Sequence, residues 1–97
     1  MTVEHGRKAV NLRIQGTVQG VGYRAWMRHE AHALGLDGWV RNRRDGSVEA
    51  LVAGERNAVD ALIKRCHDGP LPGGVSAVIS APAAPPTDAG FRQLPTV

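Results

Sequence analysis

Apolar and polar residues alternate from Ala9 to Val18. Val10, Leu12, Ile14, Gly16 and Val18 fall on one side, and Asn11, Arg13, Gln15 and Thr17 on the other. A period of two sustained over that length predicts a half-buried strand. The period then changes. Tyr23, Trp26, Met27, Glu30, Ala31 and Leu34 recur at helical spacing, so residues 23–34 are predicted to form a helix with a mostly apolar stripe. Gly35 suits the position just past a helix C-terminus. Two more strands are predicted over residues 36–43 and 47–53, with Arg44-Asp45-Gly46 between them, a strong hairpin signal. Gly54 ends the second. Residues 55–66 read as another helix, with Val59, Leu62, Ile63 and Cys66 on its apolar stripe and Asp60 and Lys64 as a favourably oriented i, i+4 pair. Residues 68–74 are a Gly/Pro loop and residues 75–80 a short strand. Residues 81–88, rich in Pro and Ala, are a connection that cannot be a central strand. Residues 90–94 are a final edge strand.

Strand, helix, strand, strand, helix, strand, with a short last strand added, is the split βαβ arrangement. It predicts one α+β domain: a mostly antiparallel sheet with two helices on one face. The expected organisation is a flexible N-terminal lead at residues 1–8 and a single domain at residues 9–97.

Composition narrows the class. A chain of 97 residues supports one core and is too short for two. An apolar fraction of 42% is ordinary for a soluble globular domain, and no apolar run approaches the roughly 20 residues that span a bilayer. The first eight residues are polar and unlike a secretory signal. A soluble cytoplasmic protein is the expectation. Cys66 is the only cysteine, so neither an internal disulfide nor a cysteine zinc site can be built. Its place in the apolar stripe suggests a small buried hydrophobe. A net charge of +3 favours anionic ligands without the dense basic patch of a nucleic-acid binder.

The chemistry concentrates between the first strand and the first helix, in Gly16-Thr17-Val18-Gln19-Gly20-Val21-Gly22-Tyr23-Arg24. Gly20 and Gly22 can adopt φ > 0 and let a ligand approach the backbone. A tight loop ahead of a helix can gather backbone N–H groups into a concavity for an anion, and the helix N-terminus adds its own. Arg24 falls in the first turn beside that place. Its planar fork can bond two phosphate oxygens at once, and a guanidinium stays charged at any working pH. On the residues alone, a strand-to-helix turn with a solvated arginine fits as well. There is no G-x-x-x-x-G-K-[ST] run, and Gly20-Val21-Gly22 lacks the third glycine of a dinucleotide fingerprint, so ATP and NAD are poorly supported. His29 and His32 are spaced i, i+3 and do not form H-E-x-x-H; they read as a surface pair rather than a metal site.

The same nine residues, followed by Gly35-Leu36-Asp37-Gly38-Trp39-Val40-Arg41-Asn42 and Asp45-Gly46-Ser47-Val48-Glu49, resemble the acylphosphatase family. The patterns V-Q-G-V-x-[FY]-R and G-[FW]-V-x-N-x-x-x-G-x-V both occur, in order. The resemblance runs from about Ala9 to Leu94, with Gly90-Phe91-Arg92 similar to the family's last strand. It implies a ferredoxin-like fold and hydrolysis of the carboxyl–phosphate bond of small acyl phosphates, without metal or cofactor. By position, it implies that Arg24 and Asn42 are catalytic and that Gln19, Gly20, Val21, Gly22 and Tyr23 bind the phosphoryl group. It also implies that Asn42 positions the attacking water and that the substrate's own phosphate oxygen takes the proton. Without the resemblance, Asn42 reads more simply as a strand-end residue capping the hairpin. Two departures stand out. Met27 occupies a position where threonine is frequent in the family, which would make the site less polar. Residues 80–87 are short of acidic residues and rich in Pro and Ala, which would end the fourth strand early.

Expected partners are a small-molecule acyl phosphate, with inorganic phosphate and sulfate as competing anions, and neither nucleic acid nor membrane; a monomer is expected. Two other readings compete. RNA-recognition motifs share this topology but stack bases on sheet aromatics; here Phe91 is the only phenylalanine and Tyr23 the only tyrosine. A non-catalytic anion-binding module, or the accessory acylphosphatase-like domain of larger carbamoyl-transfer enzymes, is the other. Those enzymes continue into cysteine-bearing zinc segments. This sequence stops at Val97, so a free-standing enzyme is the expectation.

Overall fold

The structure, a computed structural model, describes residues 6–97. The chain runs β1 (Arg7–Gly16), α1 (Tyr23–Ala33), β2 (Asp37–Asn42), β3 (Val48–Glu55), α2 (Arg56–Cys66), β4 (Val75–Pro82) and β5 (Phe91–Gln93). The strands form one five-stranded sheet in the order β4-β1-β3-β2-β5. All pairings are antiparallel except that of β5, which lies parallel to β2 with Val40 opposite Gln93. α1 lies over β2 and β5, and α2 over β1, β3 and β4. This is the ferredoxin-like split βαβ arrangement that the alternating periods predict.

The residue pattern explains which side of the sheet the helices take. Val10, Leu12 and Ile14 of β1, Val40 of β2, and Val48, Ala50 and Val52 of β3 share one face and are buried. Against them pack Tyr23, Met27 and Ala31 of α1, Val59, Leu62 and Cys66 of α2, and Phe91 of β5. Fully burying one large aliphatic or aromatic side chain contributes on the order of 1.5–3 kcal/mol. The opposite face is open and polar. There Arg41 stacks over Trp39 at 4.5 Å, and Arg41 and Arg43 pair with Glu49. Glu49 is buried there while both guanidiniums stay partly exposed, and desolvation of its carboxylate offsets much of what such pairs gain. The helix-covered face therefore sets the fold.

The structure departs from several expectations. Gly54 does not end its strand: β3 runs through it to Glu55, because Gly54 still pairs with Lys8 of β1. Of the expected lead at residues 1–8, residues 1–5 lie outside the described residues, and Arg7 and Lys8 belong to β1, opposite Glu55 and Gly54 of β3. Their polar side chains hid the strand's start from a reading of hydrophobic period. β4 does not end early. It runs two residues past the expected end, to Pro82, which pairs with Val10. Proline is tolerated there because β4 is an edge strand, where a missing N–H leaves no ladder bond unmade. Met27 does not make the site less polar. It is fully buried in the core and takes no part in the cleft described next.

Cys66 is fully buried on α2, and burial pushes its thiol up to about 12, so it is protonated at neutral pH. The Tyr23 hydroxyl donates to the Cys66 carbonyl oxygen at 2.7 Å, tying the start of α1 to the end of α2. Burial, and the Cys66 thiol beside it, raise the phenol well above its ordinary value of 10.0.

Candidate active site

The loop after β1 turns into α1 through Gly20 and Gly22, at φ 77° and 79°. Both angles lie in the left-handed region, which costs a non-glycine residue roughly 1–2 kcal/mol. Apart from the adjoining chain itself, no protein atom stands within 4 Å of where a Cβ would sit at either glycine. The glycines thus serve the bend itself and leave the inside of the loop open. Gly22 is the N-cap of α1. No side chain caps the helix, and its first turn holds no acidic residue. The N-terminal N–H groups of a helix ordinarily find a cap, water or a ligand. Here they are available to an anion, in a place that its dipole makes favourable.

Arg24, Asn42 and the loop meet in one cleft of about 140 Å³, lined by Val18, Gly20, Gly22, Tyr23, Arg24, Ala25, Asn42 and Gln93. Arg24 is half-buried and, among the described residues, forms no ion pair or hydrogen bond. Asn42 ends β2, and its Oδ1 is buried without a hydrogen-bond partner. Such an acceptor costs about 1–3 kcal/mol when left unmet. The hairpin does not use it. The turn is closed instead by Asp45, whose Oδ1 accepts from the Ser47 amide at 2.9 Å and the Ser47 hydroxyl at 2.6 Å, while the Arg43 amide donates to the Ser47 carbonyl. The hairpin-capping role open to Asn42 in the sequence is filled by another residue.

A family model described as Acylphosphatase matches residues 10–93, which takes in the loop, Arg24, Asn42 and the whole cleft. The chain belongs to the acylphosphatase family. An acylphosphatase of Azoarcus sp. (strain BH72) is 56% identical over 85 residues, covering 88% of this chain and 87% of the relative. The solved acylphosphatase of Coxiella burnetii superposes with a TM-score of 0.83 at 31% identity, over 91% of this chain and 93% of that one. The acylphosphatase of Bacillus subtilis gives a TM-score of 0.81, also at 31% identity, over 89% and 97%.

The acylphosphatase motif residues take different parts in the site. Gly20, Gly22, Tyr23, Arg24 and Asn42 line the cleft. The Tyr23 hydroxyl faces away, to Cys66. Val21 packs against the core. The Gln19 side chain is committed elsewhere: its Nε2 donates to the carbonyls of Arg43 at 2.6 Å and Ser47 at 2.8 Å. Gln19 and Val21 therefore offer an anion only their backbone. Gln19 instead ties the loop to the hairpin that carries Asn42. Gln93 was missed by motif reading. The parity of β5 contains the signal, since Gln93 shares a side with buried Phe91. His29 and His32 are exposed, as expected of a surface pair, and His32 Nε2 lies 3.2 Å from the Phe91 carbonyl. No group of three or more His, Cys, Asp or Glu that could hold a metal occurs among the described residues.

Two carboxylates of the β2–β3 hairpin carry a pH dependence. Hydrogen bonds from the Ser47 hydroxyl and amide hold Asp45 below its ordinary value of 3.8. Burial acts to raise Glu49, but hydrogen bonds from Asn11, Arg41 and Arg43 outweigh it and hold the carboxyl below its ordinary 4.5. Both folded values are depressed. The stability they give is complete above the ordinary carboxylate range and is lost as pH falls through the folded values. The melting temperature is expected to be level from pH 7 to 5 and to fall below about pH 4. A calorimetric series across that window checks it, and a melting point unchanged down to pH 2 would contradict it.

Proposed function

We propose that the protein is a metal-independent acylphosphatase, hydrolysing small acyl phosphates to a carboxylate and inorganic phosphate. The observation that carries this reading is the meeting, in one cleft, of an unpaired guanidinium and an unpartnered buried carboxamide oxygen beside an uncapped helix N-terminus. In this reading the backbone N–H groups of residues 19–24 hold the phosphoryl oxygens. Arg24 pairs with them and neutralises the charge that spreads over them in the transition state. The Asn42 Oδ1 accepts a hydrogen bond from water and orients it in line for attack at phosphorus. An amide suits that task because it both accepts and donates and does not titrate. The water oxygen bonds to phosphorus as the bond from phosphorus to the acyl oxygen breaks. The electron pair leaves with the carboxylate, and a phosphate oxygen of the substrate takes the water proton. A carboxylate is a good leaving group, so positioning and charge stabilisation can supply the rate without a general base or a covalent intermediate.

The acyl group extends out of a cleft too small to enclose it and is loosely selected. The same reading has the protein acting in the cytoplasm as a monomer, with inorganic phosphate and sulfate as competing anions and with neither nucleic acid nor membrane as partner. No helix among the described residues is long and apolar enough to cross a membrane. The RNA-binding alternative is not favoured, because Tyr23 and Phe91 are buried beneath the helices and Trp39 lies under its own neighbour Arg41.

The test is hydrolysis of benzoyl phosphate by the purified protein with EDTA present, beside Arg24→Ala. Rapid hydrolysis that EDTA spares, that phosphate and sulfate inhibit competitively, and that Arg24→Ala loses is the expected result. A folded protein that binds phosphate without hydrolysing the substrate would instead be an anion-binding module.

A further inference from the structure

Asn42 presents a problem of aim. Its Oδ1 has no hydrogen-bond partner to hold the side chain, so the direction of the carboxamide must come from the backbone at residue 42. That backbone is held from the opposite face of the sheet. Glu49, on β3, is 8% exposed. Its Oε1 accepts from Arg41 Nε and from Arg43 Nη1, each at 2.9 Å, and its Oε2 accepts from Asn11 Nδ2 at 3.0 Å. Arg41 and Arg43 are the residues on either side of Asn42. One carboxylate oxygen thus staples the chain immediately before and immediately after the residue that addresses the cleft. Both contacts are charge-assisted, the stronger class of hydrogen bond.

We infer that Glu49 is a positioning residue for hydrolysis, fixing Asn42 through Arg41 and Arg43 without touching substrate. The inference rests on the function proposed above. Other groups face the Glu49 carboxylate from β1: Asn11, already bonded to it, and Arg13, its cross-strand partner, whose Nη1 is shared with Asp45 at 3.5 Å. Arg13 Nε is buried without a partner, so it does not substitute for the Arg41 or Arg43 contact. Backbone bonds also act at this strand end, beyond the pairing of Asn42 with Val48 and the Arg43 amide bond to the Ser47 carbonyl. The Val97 amide donates to the Asn42 carbonyl at 3.1 Å, and the Arg44 amide to the Val97 carbonyl at 2.8 Å. These fix where the strand lies. The Glu49 staple fixes its rotation, because it grips side chains that project to the face opposite Asn42. A misplacement of about 1 Å in a positioned group can cost as much as 10²-fold in rate. Arg24 makes no contact with the staple, and the loop meets it only through the Gln19 bond to the Arg43 backbone carbonyl, which loss of the Glu49 charge leaves in place, so turnover should suffer and anion affinity should not.

The experiment is a double-mutant cycle of Glu49→Gln with Asn42→Ala, reading kcat, KM for benzoyl phosphate and the inhibition constant of sulfate. Glutamine keeps the shape of Glu49 and removes its charge. Glu49→Gln is expected to lower kcat roughly fivefold to tenfold, within the range a small misplacement allows, with KM and sulfate inhibition unchanged. In the Asn42→Ala background it is expected to lower the residual kcat no further, since the group it aims is gone. Arg43→Gln, which opens one side of the same staple on a partly exposed chain, should repeat the pattern with a smaller drop. It serves in place of Glu49→Gln should that variant fail to fold. An equal fractional loss in both backgrounds, no loss in the native background, or weakened sulfate inhibition would each overturn the inference. A native rate no greater than that of Arg24→Ala would overturn the proposed function itself, and the positioning role with it.

Discussion

Arg24→Lys is expected to lose about 10²-fold or more of benzoyl phosphate hydrolysis, the scale for removing one preorganised charge-stabilising group. The substitution keeps a positive charge and most of the chain length, so the size of the loss measures geometry. Arg24 is half-buried in the first turn of α1, where it lines the cleft with no protein partner among the described residues. A guanidinium presents a planar fork that matches two phosphoryl oxygens at once. An ammonium is a compact, strongly hydrated point charge that can match one. Lysine can therefore retain some attraction for a resting dianion while failing to follow the charge as it spreads in the transition state. The expected signature is a kcat loss much larger than any change in sulfate inhibition. Near-normal turnover in Arg24→Lys would remove Arg24 from its assigned role.

Asn42→Ala should slow turnover by about 10²-fold, the scale for one positioned group, while leaving phosphate and sulfate binding nearly intact. Its stability effect should be small. An asparagine that caps a turn costs about 1 kcal/mol when replaced by alanine. Asn42 caps nothing, and its buried Oδ1 lacks a partner. Its removal breaks no hydrogen bond within the protein. The melting temperature of Asn42→Ala is therefore expected to stay close to that of the native protein while activity falls. Thermal melts and steady-state rates on the same preparation decide it. A variant that is both slower and clearly less stable would mean that Asn42 is structural and that its catalytic assignment is wrong.

The two periods along the chain, together with the Asp-Gly hairpin signal and the Gly/Pro breaks, were enough to predict every strand and helix, because the core is one-sided and most apolar residues of each element face it. The ends were harder to read. Arg7 and Lys8 are strand residues held by backbone pairing at a polar strand start, and period carries no signal there. Pro82 reads as a strand breaker until the sheet order shows that β4 is an edge. Within the site, Arg24 and the glycines were legible because the loop that uses them is local. Gln19 was not. Its carbonyl partners are 24 and 28 residues away, and a glutamine beside a phosphate loop looks like a ligand contact until those partners are seen. The ambiguity over Asn42 had the same origin. Either Asn42 or Asp45 could have capped the hairpin, and only coordinates reveal that Asp45 does. Gln93 reaches the cleft through a parallel pairing of β5 with β2, a contact between distant parts of the chain that no short motif encodes.

The burial of Cys66 has a use beyond packing. As the chain's single thiol, protonated and sealed beneath α2, it can meet a reagent only when the second helix parts from the sheet. Its rate of modification is therefore set by how often the core opens and not by sulfur chemistry. Its carbonyl also anchors the tyrosine that precedes Arg24. The protein thus carries an internal gauge of its own breathing, placed one hydrogen bond from the residue where the glycine loop enters α1.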